Sequence, residues 1–381
     1  MNIMETSRID NQVPFMAIHP TEIIKDEIKE RGMSQKELAE RLGMQASNVS
    51  RMLREKETIT SALSVKLEKA LGIKSSFWLN AQAEYDKDIL AIEQREEKEQ
   101  VAADKEYMLS SLLNMKELYA KLKIRTSLFV QEKLDALSQI FGMEPAEIPY
   151  FQLAYNGNFK KSDKVTTDEK NQRTWQVLAY VSAKHNKPDH KYEKGNARKA
   201  AIEIASTAHR GGISEEQIKE ILNKYGISYS FVSKLEKTPI DAYSSWVDGY
   251  PAIVATHRYN DICKLVFNII HELGHIELHI KPNTNVAYIS DGAYSTDQKE
   301  EEANKFAEDI LIAPDVWKDI VNTSSKGIGV NNIVQHLRTQ AKAKGLDFGL
   351  VMWRYKFETH KYALRGTNPE KITRPVKENF I

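Results

Sequence analysis

The chain has 381 residues, 41% hydrophobic and 28% charged, the composition of an ordinary globular protein and a length that suits two or three domains. A formal net charge of +1 excludes a globally basic nucleic-acid binder, so any DNA-reading surface must be local. No apolar run approaches the ~20 residues a membrane-spanning helix needs, and the single cysteine, Cys263, excludes an intramolecular disulfide framework. The opening MNIMETSRIDNQVPF has neither the basic start nor the apolar stretch of a secretory signal, which with the lone cysteine predicts a cytoplasmic protein without membrane association. The plainer reading of Cys263 is a small buried hydrophobe rather than a reactive thiol.

Residues 19 to 85 read as short helices separated by turns. Pro20 suits a first helical turn, and TEIIKDEIKERG sets Ile23, Ile24 and Ile28 on one face before Gly32. Ser34 with Glu37 three residues on is a capping box that starts SQKELAERLG, which Gly43 stops. QASNVSRMLREK follows with Val49, Met52 and Leu53 inward. SALSVKLEKALG then repeats the pattern with Leu63, Leu67, Ala70 and Leu71, closed by Gly72. QREEKEQVAADK is dominated by charge, the pattern of a solvated helix bridging two domains. Residues 108 to 185 look helical apart from the polar loop NGNFKKSDKVTTDEKNQRT, and KHNKPDHKYEKGN is a linker candidate. Beyond it, ARKAAIEIASTA and EEQIKEILNKYG are amphipathic helices, whereas ISYSFVSKL and YPAIVATH have the alternating, β-branched character of strands. Helices are expected through NIIHELGHIELH, over 300 to 312 and over most of 332 to 359.

Reading DNA takes a short helix pinned against another by a tight turn, with exposed N-terminal side chains entering the major groove. Residues 35 to 42 supply the supporting helix, Gly43 and Met44 the turn, and residues 45 to 53 the recognition helix, with Ala39 at the close approach. Gln35, Gln45, Ser47, Asn48 and Arg51 are the candidate DNA contacts, because amides and guanidinium groups suit base edges and hydroxyls suit bases or phosphates. Gln45 to Arg54 holds two arginines and no acid, a basic patch in a neutral chain. The plainer alternative is a small helical bundle of similar pattern.

The stretch from His19-Pro20 to FWLNAQAEYD (Phe77 to Asp86) resembles the HigA-type antitoxin branch of the XRE helix-turn-helix family. That resemblance implies a homodimer on a palindromic operator. The chain departs from it at Gln45, where a capping Ser or Thr is common.

The second constellation is NIIHELGHIELH, residues 268 to 279. In H-E-x-x-H on a helix, residues i and i+4 share a face, so His271 and His275 can reach one Zn²⁺. Glu272, offset by one residue, lies beside the metal's water as a general base, and zinc lowers that water's pKa to about 7. His279 is eight residues from His271, ~12 Å along a helix, too far to share an ion with it. It reads as a packing residue or one that supports a ligand. The third ligand is expected from STDQKEEEANKFAEDILIAP, where Glu302 shares a face with Phe306 four positions on; Glu301 is the alternative, and Glu300 reads as solvated. His257, Tyr259 and Tyr288 are possible stabilisers of a developing oxyanion, with none preferred.

IIHELGHIELH followed by EEEANKFAEDILIAP is similar to the ImmA/IrrE family of metallo-endopeptidases. The resemblance maps His271, His275 and Glu302 onto zinc ligands and Glu272 onto the general base. It implies a DNA-binding zinc metalloprotease that cleaves a repressor or other regulatory protein. The alternative is a HigA-like regulator whose peptidase-like domain serves for partner binding or sensing. The expected architecture is mainly α. A five-helix helix-turn-helix bundle occupies 15–86, a helical middle region 87–195, and an α+β zincin-like domain with a small sheet 196–381.

Overall fold

The computed structural model describes residues 13–150, 168–282, 287–290, 297–324, 330–361, 364 and 370–380. Most of the opening segment and of the polar loop at 156–174 lie outside them. The chain divides into two compact units, one formed by Met1–Glu106 with Leu128–Leu134, the other by Tyr107–Ser127 with Asp135–Ile381. The stretch expected as a separate middle region is thus shared between the two.

The first unit contains α1 (Pro20–Glu30), α2 (Gln35–Leu42), α3 (Ala46–Glu55), α4 (Ser61–Leu71) and most of α5 (Ser75–Leu112). His19 caps α1, its Nδ1 accepting from the Thr21 amide at 3.1 Å, and its ring meets Tyr85 edge-on at 4.6 Å. Ser34 caps α2 by accepting from the Glu37 amide at 3.1 Å. The reciprocal half of that capping box is replaced by a Glu37–Arg41 pair one turn on. Gly43, at φ 63°, ends α2 in a left-handed conformation that an L side chain rarely adopts, and the Met44 amide returns to the Ala39 carbonyl. Ala39, 2% exposed, lets α3 approach closely. Trp78 is fully buried, and Gln82 accepts from the Ile59 amide at 2.9 Å, so FWLNAQAEYD closes the core on the loop before α4.

The second unit takes the last residues of α5, then α6 (Met115–Lys121) and the larger part of α7 (Val130–Phe141). A 3-10 turn at Pro145–Tyr150, α8 (Glu169–His185), α9 (Asn196–His209) and α10 (Glu215–Lys224) follow. Strands β1 (Ser228–Phe231), β2 (Ala242–Val247) and β3 (Tyr250–Ala255) lead into α11 (Ile262–Leu278). After it come β4 (Ala287–Ser290), α12 (Gln298–Leu311), α13 (Pro314–Ser324), α14 (Val330–Ala343) and α15 (Phe348–Thr359). The sheet order is β1-β3-β2-β4, with β1 parallel to β3 and the other pairs antiparallel. Asp248 and Gly249, at φ 44° and 95°, make the two-residue hairpin turn between β2 and β3.

β2 is buried on both faces. Tyr243 meets Trp175 of α8 on one side, while Ser244 points to α11 on the other. Ala197, Ala200, Ala201, Ala205 and Ala208 form a small-residue face on α9 in the core that also holds α11. The expected class, mainly α with a small sheet, is the observed one. No helix of the described residues is long and apolar enough to cross a membrane.

Candidate metal centre

Asp261 starts α11 by accepting from the amides of Cys263 and Lys264 at 3.0 and 3.3 Å. From there the i, i+4 spacing sets His271 and His275 one above the other, with their Nε2 atoms 3.0 Å apart. Glu300 of α12 faces both: Oε2 lies 3.2 Å from His271 Nε2 and Oε1 lies 3.3 Å from His275 Nε2. Both imidazoles are buried, and the carboxylate is about one-fifth exposed.

This geometry corrects the expectation for the third acidic residue. Glu302 does not approach His271 or His275; it accepts from Gln298 at 2.8 Å and sits 3.0 Å from His279 Nε2. Glu301 is exposed. The reason lies in which face of α12 comes closest to α11. Phe306 does pack against Gly274, with its Cδ1 3.2 Å from a Cβ built there, but the backbone that meets α11 is that of Ala303. A Cβ built on Gly274 would stand 3.2 Å from Ala303 Cα and 3.3 Å from its carbonyl oxygen. Glu300, Ala303 and Ala307 share that face at steps of three and four, so Glu300 is the acid delivered to the histidines.

Glu272 is fully buried and turned toward the sheet. Ser244 of β2 donates to its Oε2 at 2.5 Å, and Ser290 of β4 donates to its Oε1. Ala242 pairs with Ser290 across β2 and β4, so Ser244, two residues on, presents its hydroxyl on the same side. Neither serine stands out in the sequence, where AYSSWV and AYIS are short and nothing in their spacing marks a serine as facing α11.

Burial pushes Glu272 up to about 7, against the opposing pull of His271 and the two serines. His275 is lowered to about 4, chiefly by burial. Burial also acts on His271, but its bond to Glu300 and the charges of Glu272 and Glu300 outweigh this and raise it. Burial disfavours the Glu300 carboxylate, yet its bonds to both histidines win and hold it far below the usual range.

His271, His275 and Glu300 together could hold a metal ion, each offering one ligand atom within 4.8 Å of the others. Two imidazoles and a carboxylate are donors that zinc uses, at bonds of about 2.0–2.2 Å, and two such bonds span at most ~4 Å. The observed spans of 3.0 to 3.3 Å fit. Of the oxyanion candidates, Tyr288 stacks on His275 at 4.3 Å and accepts from Lys299 at 3.0 Å. His257 instead lies 2.9 Å from Glu215 and stacks on Phe231, and Tyr259 receives the Lys264 ammonium over its ring.

In the first unit, Gln35 is the first residue of α2, Gln45 precedes α3 without capping it through its side chain, and Ser47, Asn48 and Arg51 lie along α3. All five are exposed, and Arg51 Nε donates to Glu57 at 3.0 Å.

A helix-turn-helix unit joined to a unit with a metallopeptidase-like helix pair defines the class: a DNA-binding regulator with a peptidase-like domain. Residues 24–79 match the family described as Helix-turn-helix, and residues 231–338 match the IrrE N-terminal-like domain, a peptidase family. The chain thus carries an XRE-type helix-turn-helix domain and an IrrE/ImmA-like domain. Among solved structures it is similar to a "putative antidote protein of plasmid maintenance system" from Nostoc punctiforme PCC 73102. The two are 32% identical over 22% of this chain and 93% of that one, with a TM-score of 0.21. No curated protein matches the chain.

Proposed function

We propose that the protein is a zinc-dependent endopeptidase that acts on a transcriptional regulator, with its helix-turn-helix unit binding a palindromic operator as a homodimer. The observation that carries the reading is the convergence of His271, His275 and Glu300 beside a fully buried Glu272. Zinc bound by those three would supply Lewis acidity. Glu272 takes a proton from the attacking water and returns it to the leaving amine, roles that suit a carboxylate raised toward neutrality. Of the three oxyanion candidates, Tyr288 is the one packed against a proposed ligand, His275, and we assign it to the substrate carbonyl oxygen on that ground. The regulatory substrate is inferred from the pairing of a DNA-binding domain with a peptidase-like one.

A second reading, a regulator whose peptidase-like domain holds or senses a partner, is favoured by one observation. Both oxygens of Glu272 are engaged by serine hydroxyls. Metal analysis of the purified chain together with Glu272→Gln separates the two. The enzyme reading expects one zinc per chain in both proteins and loss of the biological effect in the variant. Absence of zinc, or a Glu272→Gln protein with every effect intact, overturns it.

A further inference from the structure

His279 stands at the end of α11 with its side chain only 5% exposed, and it is not spent on packing alone. Its Nδ1 lies 3.0 Å from His275 Nδ1, and its Nε2 lies 3.0 Å from Glu302 Oε2. Glu302 is held in turn by Gln298, which donates to Oε1 at 2.8 Å. Tyr288 lies over both rings, stacked on His275 and 5.7 Å from His279. The result is a line of polar contacts running from the protein surface to Nδ1 of His275, the ring nitrogen other than the one beside Glu300.

We infer that His279 and Glu302 are positioning residues that fix the ring orientation and the tautomer of His275, so that its Nε2 is the atom free to ligate. The inference rests on the metal-site reading above. An ionised carboxylate only accepts, so the proton between Glu302 and His279 belongs to His279 Nε2. A neutral imidazole carries one N–H, so His279 Nδ1 must then accept, and the proton between the two histidines belongs to His275 Nδ1. That leaves the lone pair of His275 on Nε2, the atom 3.0 Å from His271 Nε2 and 3.3 Å from Glu300. The reverse order would put a proton on His275 Nε2 and block it as a ligand. Metal-binding histidines ordinarily donate their second nitrogen to a carboxylate, carbonyl or water. Here a second histidine takes that place and passes the contact on to a carboxylate at the surface, which also explains why the sequence carries both His279 and Glu302 without either reaching the ion.

The test uses the full chain with ¹⁵N-labelled histidine. Long-range ¹H–¹⁵N spectra are expected to show the proton of His275 on Nδ1 and that of His279 on Nε2; a proton on His279 Nδ1 overturns the inference. Zinc affinity, measured by chelator competition, is expected to fall about 10- to 100-fold in His279→Phe, which removes the acceptor. In His279→Asn, which keeps an acceptor in place of Nδ1, it should stay within about threefold of wild type. Equal affinities for these two variants overturn the inference. Should His279→Phe fail to fold, Glu302→Ala, which alters an exposed side chain, is expected to weaken zinc about 10-fold, and unchanged affinity overturns the inference. A wild-type chain that binds no zinc instead defeats the metal-site reading itself, while the tautomers of the metal-free chain still report the proton order.

Discussion

Gly274→Ala tests the packing that brings Glu300 to the histidines. The added Cβ would sit 3.2 Å from Ala303 Cα, 3.2 Å from Phe306 Cδ1 and 3.3 Å from the Ala303 carbonyl oxygen. Ordinary carbon contacts lie near 3.5–4.0 Å, so α12 must withdraw by a few tenths of an ångström. Two of the three atoms met are backbone, so a rotamer change cannot relieve the contact. Overpacking of this kind costs about 1–3 kcal/mol, while replacing a helical glycine by alanine returns about 1 kcal/mol of helix propensity. The expected net change is a loss of roughly 0–2 kcal/mol in global stability. The metal site should suffer more. Glu300 lies one turn before Ala303 on the same face, so the same withdrawal lengthens its reach to both histidines. Zinc affinity is expected to drop by about 10-fold or more, the scale seen when a supporting contact is lost. Chemical denaturation of the metal-free chain and chelator competition on the loaded chain read the two effects separately. A variant that is more stable and binds zinc as tightly as wild type would refute the claim that Gly274 sets this approach.

Glu300→Gln is expected to reduce zinc affinity by about 100-fold or more, beyond what an outer contact is worth, whereas Glu302→Gln, which keeps an acceptor for His279, leaves a competent site; competition titration distinguishes them. Arg354 of α15 is buried and donates from Nη1 to the carbonyls of Glu308 and Ile312, both at 2.7 Å, at the end of α12. Arg354→Met strips those carbonyls of their donor and should destabilise the chain by about 2–4 kcal/mol in urea unfolding. Burial disfavours the Glu378 carboxylate, but its bonds from Lys121 and Ser233 outweigh this and lower its pKa. Its stabilising contribution is therefore full above the ordinary carboxylate pKa of about 4.3 and is lost as pH falls through the lower folded value. The stability gap between wild type and Glu378→Gln should narrow as pH falls below about 4, as followed by urea unfolding at a series of pH values.

Much of this arrangement was legible because local chemistry leaves a strong trace in sequence. Ser34, Gly43 and Gly72 mark helix ends through capping and left-handed turns, and all three stand at helix boundaries in the structure. The i, i+4 histidines face one another because a helix has only one way to place them. What escaped is tertiary. β2 and β4 leave little trace in sequence because AYSSWV and AYIS are short and contain serine; β2 is held by burial on both faces and β4 by its pairing with β2. Ser244 and Ser290 reach Glu272 only through a register that sequence spacing does not encode. The choice between Glu300 and Glu302 failed for a related reason. Phe306 and Ala303 both meet Gly274, so the face of α12 that packs on α11 reaches round to Glu300, which Phe306 alone does not mark. His279 lies about two helical turns beyond His271, and only the folded site reveals its contacts with His275 and Glu302.

The central claim is peptide-bond hydrolysis that depends on Glu272. It is tested most directly by sequencing new protein N-termini in cells that carry the wild-type chain and in cells that carry Glu272→Gln at equal abundance. The account predicts at least one N-terminus, arising inside a transcriptional regulator, that is present with the wild-type chain and absent with the variant. Identical N-termini in the two, under conditions where the wild-type chain exerts its biological effect, would contradict it.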